Sequence, residues 1–196
     1  METIDVTQEA MEARIVRFDG VVPSNRSGRE RGVPAVVTEL LIPRALYPIM
    51  GPEGSDSPVF NFAMHGPDGV SMTVCEVDPG DGPALHAHHT TDEVFFVLEG
   101  DFRIEWGDHG EHAVELGRFD TIAVPPRVVR RFENVGERTA YLLALVCGGA
   151  EGITEVEYTP DVGAQVVASG GPEVRSLLEA AGVGFSAGEP GSGAAR

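Results

Sequence analysis

The stretch Gly80 to Gly100, GDGPALHAHHTTDEVFFVLEG, constrains the fold of this chain more than any other. His86 and His88 stand two residues apart, which is the side-chain period of a β-strand. In an extended segment both imidazoles therefore leave the same face and converge. Glu93 follows after HTTD, four residues able to reverse the chain, and VFFVLEG then runs back as an apolar strand. The carboxylate returns beside the two rings, and two imidazoles with one carboxylate form a metal-ligand set.

The rest of the chain repeats this grammar of short strands and turns. Val59 to His65 and Val70 to Val77 flank the turn GPDG and read as a strand pair. Asp101 to Trp106 and Glu111 to Leu116 alternate polar and apolar residues around GDHG, which predicts a hairpin. Thr121 to Val124, Val128 to Asn134 and the apolar run Tyr141 to Cys147 add further strands. The 25 glycines and 14 prolines in 196 residues exceed ordinary usage of about 7% and 5% and fit many turns between short strands. An all-β sandwich or barrel in a single domain is the predicted class.

Toward the ends the pattern weakens. Residues 1–13 are polar and acidic, with one short turn of helix at most. Arg14 to Phe18 and Ala35 to Ile42 read as strands, Pro23 to Gly32 as a loop of turn formers, and Pro43 and Pro48 as the brackets of a connection. Only the segment 169–186 reads as helical. There Pro172 to Ala181 spaces Val174, Leu177, Leu178 and Ala181 along one face, with proline at its start and Gly182 as its stop. Residues 187–196 read as a disordered tail.

A net charge of −17 repels phosphate backbones and anionic bilayers, so nucleic-acid and membrane-surface functions are not expected. The N-terminal residues lack a signal-peptide pattern, and no apolar run approaches the roughly 20 residues of a membrane span; a cytoplasmic protein is expected. Cys75 and Cys147 lie in apolar runs without metal-ligand spacing and read as reduced thiols.

The spacing G-x5-H-x-H-x4-E-x6-G across Gly80, His86, His88, Glu93 and Gly100 resembles the first signature motif of the cupin superfamily. Gly117, Asp120, Pro125 and Asn134 are similar to its second motif, so the resemblance covers residues 70–148. It implies an all-β, cupin-type double-stranded β-helix (a jelly-roll barrel) over 14–168, with extra N-terminal strands and one short C-terminal helix. It also implies a homodimer formed through the N-terminal strands. Two positions depart from the pattern. Arg127 stands where the family has glycine, and Arg130 stands where it has the last metal-binding histidine.

Arginine has no lone pair to give, so the metal set implied here is His86, His88 and Glu93 alone. With open positions that set suits Fe(II) first, and Mn, Ni, Co or Zn as well. A divalent ion with one carboxylate leaves one net positive charge and Arg130 adds a second, which calls for an anionic substrate; the alternative is that Arg130 pairs with Glu93 and the site holds no metal. Glu93 and Arg130 are thus the catalytic candidates, and Arg130 with Phe132, which shares its strand parity, the pocket candidates. The implied function is a dioxygenase for a small anionic or aromatic substrate. A non-redox metal-dependent isomerase, cyclase or decarboxylase, and a metal-free binding module, are the alternatives.

Overall fold

The computed structural model describes residues 1–30, 32–55, 61–148 and 155–189. Its strands are β1 (Ala45–Pro52), β2 (Met64–Gly66), β3 (Val70–Val77), β4 (His86–Ala87), β5 (Asp92–Glu99), β6 (Phe102–Trp106), β7 (His112–Leu116), β8 (Thr121–Val124), β9 (Arg130–Asn134), β10 (Ala140–Cys147), β11 (Val156–Tyr158) and β12 (Val183–Gly184). They form two six-stranded sheets, ordered β2-β1-β3-β10-β5-β8 and β12-β11-β4-β9-β6-β7. This is the double-stranded β-helix expected from the strand count and motifs.

The main core lies between the sheets because each strand alternates its faces. Strand β10 buries every second residue, Leu142 and Ala144 among them, and β5 does the same with Phe95 and Val97. These meet Phe102, Ile104 and Phe132 from the other sheet. Burial on this scale supplies the apolar driving force of the fold. Gly82 is required where it stands: a Cβ there would lie 1.9 Å from the Phe132 carbonyl oxygen. Asn134, fully buried, donates from its side-chain nitrogen to the carbonyls of Val77 (2.9 Å) and Arg138 (2.7 Å), and its side-chain oxygen accepts from the Gly136 N–H (2.9 Å). That signature position is a structural clamp.

Several expectations outside residues 70–148 are corrected. Ala35 to Ile42 is a helix, α3 (Ala35–Leu41), whose Val37, Thr38 and Leu41 are buried along one face while Val36 is exposed. Five apolar residues in AVVTELL suit a strand by composition, but the four-residue spacing of Val37 and Leu41 suits this docked helix. Ser24–Glu30 is likewise a helix, α2, tied down by a hydrogen bond from the Ser24 hydroxyl to the Leu46 carbonyl (3.0 Å). Arg14 to Phe18 forms no strand; a 3-10 turn spans Phe18–Gly20. The stretch read as a connection around Pro48 is strand β1, with Pro48 beside a register shift against β3, a place where a missing N–H is tolerated.

Met64–Gly66 pairs in parallel with β1, so the GPDG turn does not close a hairpin with β3. Val59 and Phe60 of that expected strand lie outside the described residues, as does the expected tail from residue 190 onward.

The N-terminal helix α1 (Gln8–Glu12) is one short element capped by the Thr7 hydroxyl. The C-terminal helix appears at Pro172–Ala180 (α5) and is preceded by one not anticipated, α4 (Pro160–Gly170). Thr159 at the N-cap, Pro160 in the first turn and Asp161 beside it are ordinary start signals, and Val162 and Val166 form the buried face. Helices α3, α4 and α5 build a second apolar cluster with Tyr158, Val183 and Phe185. No helix among the described residues is long and apolar enough to cross a membrane.

Cys75 is buried and Cys147 half-buried, and both are free thiols. Burial foremost, and then the Glu93 carboxylate, push the Cys75 thiol far above its ordinary value. Only the thiolate reacts readily. Iodoacetamide on the native protein is therefore expected to label Cys147 well before Cys75, and mass spectrometry of a time course reads the order; equal rates would contradict the packing around Cys75.

Candidate metal centre

Strand register brings the site together. His86 in β4 lies opposite Arg130 of β9 and Tyr158 of β11, so the three side chains share one face of their sheet. His88 follows just past the end of β4 and keeps the inward parity. Glu93 sits in β5 two residues before the buried Phe95 and four before Val97, so the alternation that aims those side chains into the core aims the carboxylate there too. Arg130 is inward for the same reason, in step with Phe132 and Asn134.

The resulting geometry suits a cation. One ligand atom each from His86, His88 and Glu93 lies within 4.8 Å of the others, and all three residues are buried. The Glu93 Oε2 atom is 3.9 Å from His86 Nε2 and 3.8 Å from His88 Nε2. Both imidazoles have their other nitrogen tied off: His86 Nδ1 bonds the Ala84 carbonyl at 2.8 Å, and His88 Nδ1 bonds the Glu155 carbonyl. A carbonyl only accepts, so each Nδ1 carries the proton and each Nε2 presents a lone pair toward Glu93. Metal-binding histidines are oriented by this kind of outer hydrogen bond. The backbone helps as well. Arg127 adopts a left-handed conformation (φ 66°) and donates its N–H to the His88 carbonyl at 2.7 Å. The family's glycine at this position matches that backbone, which here is held by a side-chain-bearing residue.

Burial foremost, and then the Arg130 charge, lower His86 to about 4 and His88 to about 3. Both are neutral at pH 7, the form a metal takes. For Glu93, burial alone would push the carboxyl up, but Arg130 and the two histidines outweigh it and hold it below its ordinary value. The donor set therefore fits a divalent ion in protonation state as well as position.

These directions also set a pH dependence. A histidine whose folded value is depressed adds nothing to the pH slope above its unfolded value of about 6.5, and the unfolded chain gains protons first as pH falls. Metal-free protein should therefore lose stability through these two histidines as pH falls from 6.5 toward 4. Urea midpoints at pH 7 and pH 5 measure this, and His86→Gln/His88→Gln should flatten that interval.

Arg130 is 1% exposed and spends its charge on Glu93. Its Nε and Nη2 donate to the single oxygen Oε2 at 2.9 and 2.6 Å, whereas Nη1 reaches the His86 and Val128 carbonyls only at 3.5 Å. A cavity of about 150 Å³ opens in front of the three ligands. Phe132 lines it; Arg130 is not among its lining residues and turns its donors to Glu93 instead. Leu46, Thr73 and Cys75 from the barrel, Leu41 and Leu178 from α3 and α5, and Tyr158 are among the other wall residues, and no lysine or arginine among the described residues lines it. A cavity of about this volume holds one benzene-sized ring.

Cys75, Tyr158 and the helical wall were not anticipated. Tyr158 donates its hydroxyl to the Leu41 carbonyl at 3.2 Å and lies 5.8 Å from the His86 ring, ring centre to ring centre. No motif spacing marks these residues, since they arrive through the packing of β3, β11, α3 and α5 around the cavity. The other four histidines stay out of the set. Of them, His89 lies 3.4 Å from Glu157 and 3.6 Å from Glu155.

Comparison with known proteins agrees with this arrangement. A family model described as a cupin domain matches residues 73–146. An uncharacterized protein of Methanocaldococcus jannaschii is 34% identical over 70 residues, which are 35% of this chain and 54% of that protein. The chain thus spans about half the length of that curated relative. Among solved structures, the cupin domain of Cnp3 from Schizosaccharomyces pombe is similar at 11% identity, TM-score 0.43, covering 55% of this chain and 66% of that one. A sugar phosphate isomerase of the cupin superfamily from Silicibacter pomeroyi is similar at 22% identity, TM-score 0.37, covering 42% and 52%. Neither likeness bears on activity. The family-model match over residues 73–146 contains all three ligands and Arg130, and shows a cupin domain across that part of the chain.

Proposed function

We propose that the chain is a metal-dependent enzyme, a dioxygenase that acts on a small and largely apolar organic molecule, aromatic or weakly acidic. The observation that carries the reading is the pair of lone-pair-bearing Nε2 atoms beside a buried carboxylate, facing a cavity of about 150 Å³. His86, His88 and Glu93 would hold the ion, with Fe(II) the first choice because two histidines and one carboxylate with open positions suit it. Bound Fe(II) would supply affinity for O2 and one-electron chemistry; Mn, Ni, Co or Zn would supply Lewis acidity instead.

The chain's own groups have definite parts. Burial keeps both histidines neutral and the apolar wall excludes water, which strengthens electrostatic effects at the reacting end. Phe132 bounds the space for the substrate body. Glu93, held ionised, can take a proton from a substrate hydroxyl, and Arg130 holds its Oε2 in the metal-free protein. Because no cationic side chain among the described residues lines the wall, an acidic group on the substrate would find its partner only at the metal end.

The test is O2 consumption by Fe(II)-reconstituted protein across a panel of phenols and keto acids. Uptake by the wild type that is lost in His86→Ala is the expected result. Turnover without O2 on the Zn or Mn form would replace the dioxygenase by a non-redox enzyme. The Arg130–Glu93 pair favours a second reading, a metal-free binding module. In that case the purified protein would take up no metal, and His86→Ala would leave ligand binding intact.

A further inference from the structure

The oxygen of Glu93 that faces both histidines is the one that Arg130 already holds. Oε2 lies 3.9 and 3.8 Å from the two Nε2 atoms and accepts both guanidinium bonds, at 2.9 and 2.6 Å. Oε1 takes no hydrogen bond among the described residues. The guanidinium is buried and remains a full charge there, with its remaining donors in long contacts of 3.5 Å. A divalent ion on the same carboxylate would meet that charge across a few ångströms of poorly screened interior, where like charges repel strongly.

From this, and resting on the proposed metal site, we infer that Arg130 is a built-in rival of the metal. The guanidinium and the cation compete for Oε2 of Glu93, and loading the site requires the arginine to give that oxygen up. The ion pair occupies the place of the missing fourth ligand and satisfies the carboxylate when no metal is bound. The metal-free protein is then a well-packed state in its own right, and the site binds metal weakly and exchangeably. Arg130 acts here as a positioning residue that sets metal affinity through Glu93.

The experiment uses Co(II), whose visible absorption reports coordination, titrated into full-length protein in competition with a chelator. Arg130→Met keeps the length of the side chain and removes its charge. It should tighten Co(II) binding by roughly 100-fold or more, since each factor of ten corresponds to about 1.4 kcal/mol of relieved repulsion. Arg130→Lys keeps the charge and should stay far closer to wild type. If Arg130→Met folds only with metal present, the wild type provides a second readout. Saturating Zn(II) should shift the Arg130 Nε–H resonance and speed its exchange with water.

Equal Co(II) affinity in wild type and Arg130→Met would overturn the rivalry while leaving the metal site standing, as would an unmoved Nε–H resonance at saturation. A wild type that takes up no Co(II) beside an Arg130→Met that does would uphold the rivalry and remove the enzyme reading. Absence of binding in both would remove both.

Discussion

Glu93→Gln should cost the metal-free protein about 3–5 kcal/mol of stability, the range for breaking one side of a buried ion pair. The loss is large because Arg130 is 1% exposed and its two short bonds both go to Glu93. Glutamine can still accept one of them, but it leaves the guanidinium charge without a counter-charge. The double variant Glu93→Gln/Arg130→Met should recover to within about 1–2 kcal/mol of wild type, since removing both charges of a buried pair is often close to neutral. Urea denaturation of the two single variants and the double in the presence of a chelator measures the coupling directly. Additive losses would mean that the pair does not hold in solution.

Phe132→Ala should be comparably severe, at about 3–5 kcal/mol. Phe132 is 3% exposed and packs edge-on against Phe95 and Phe102 at centroid distances of 5.3 and 6.0 Å, so it joins the two sheets at the centre of the core. It also forms part of the cavity wall, so truncation would enlarge the space in front of the ligands. Calorimetry of the variant should show a lowered midpoint. Phe132→Leu, which refills part of the volume, should lose less. A Phe132→Ala protein as stable as wild type would show that the core does not depend on this ring.

The parts of the molecule legible in the sequence are those governed by period two. The inward parity of His86, Glu93, Phe95, Arg130 and Phe132 could be read because strand alternation is a local rule, and Gly80, Gly82 and Gly100 punctuated it. Where the outcome depended on tertiary packing, local reading failed. AVVTELL has the composition of a strand, and it is a helix because Val37 and Leu41 find the faces of α4 and α5 to cover. Pro48 looked like an interruption, and β1 accommodates it by shifting register. Arg130 is the instructive case at the site. Its chemistry excluded it as a ligand at once, but whether its charge would face a substrate or Glu93 depended on which atoms the opposite sheet presents. That choice is made by the register of β5 and β9 in three dimensions and has no signature in spacing.

The proposed function rests on a cation site formed by His86, His88 and Glu93. Anaerobic equilibrium dialysis of the purified chain against Fe(II), followed by elemental analysis, tests it most directly, with His86→Ala/His88→Ala as the comparison. One ion per wild-type chain at saturation and almost none in the double variant is the expected result. A wild type that remains empty at millimolar Fe(II), or a double variant that takes up as much as wild type, would contradict it.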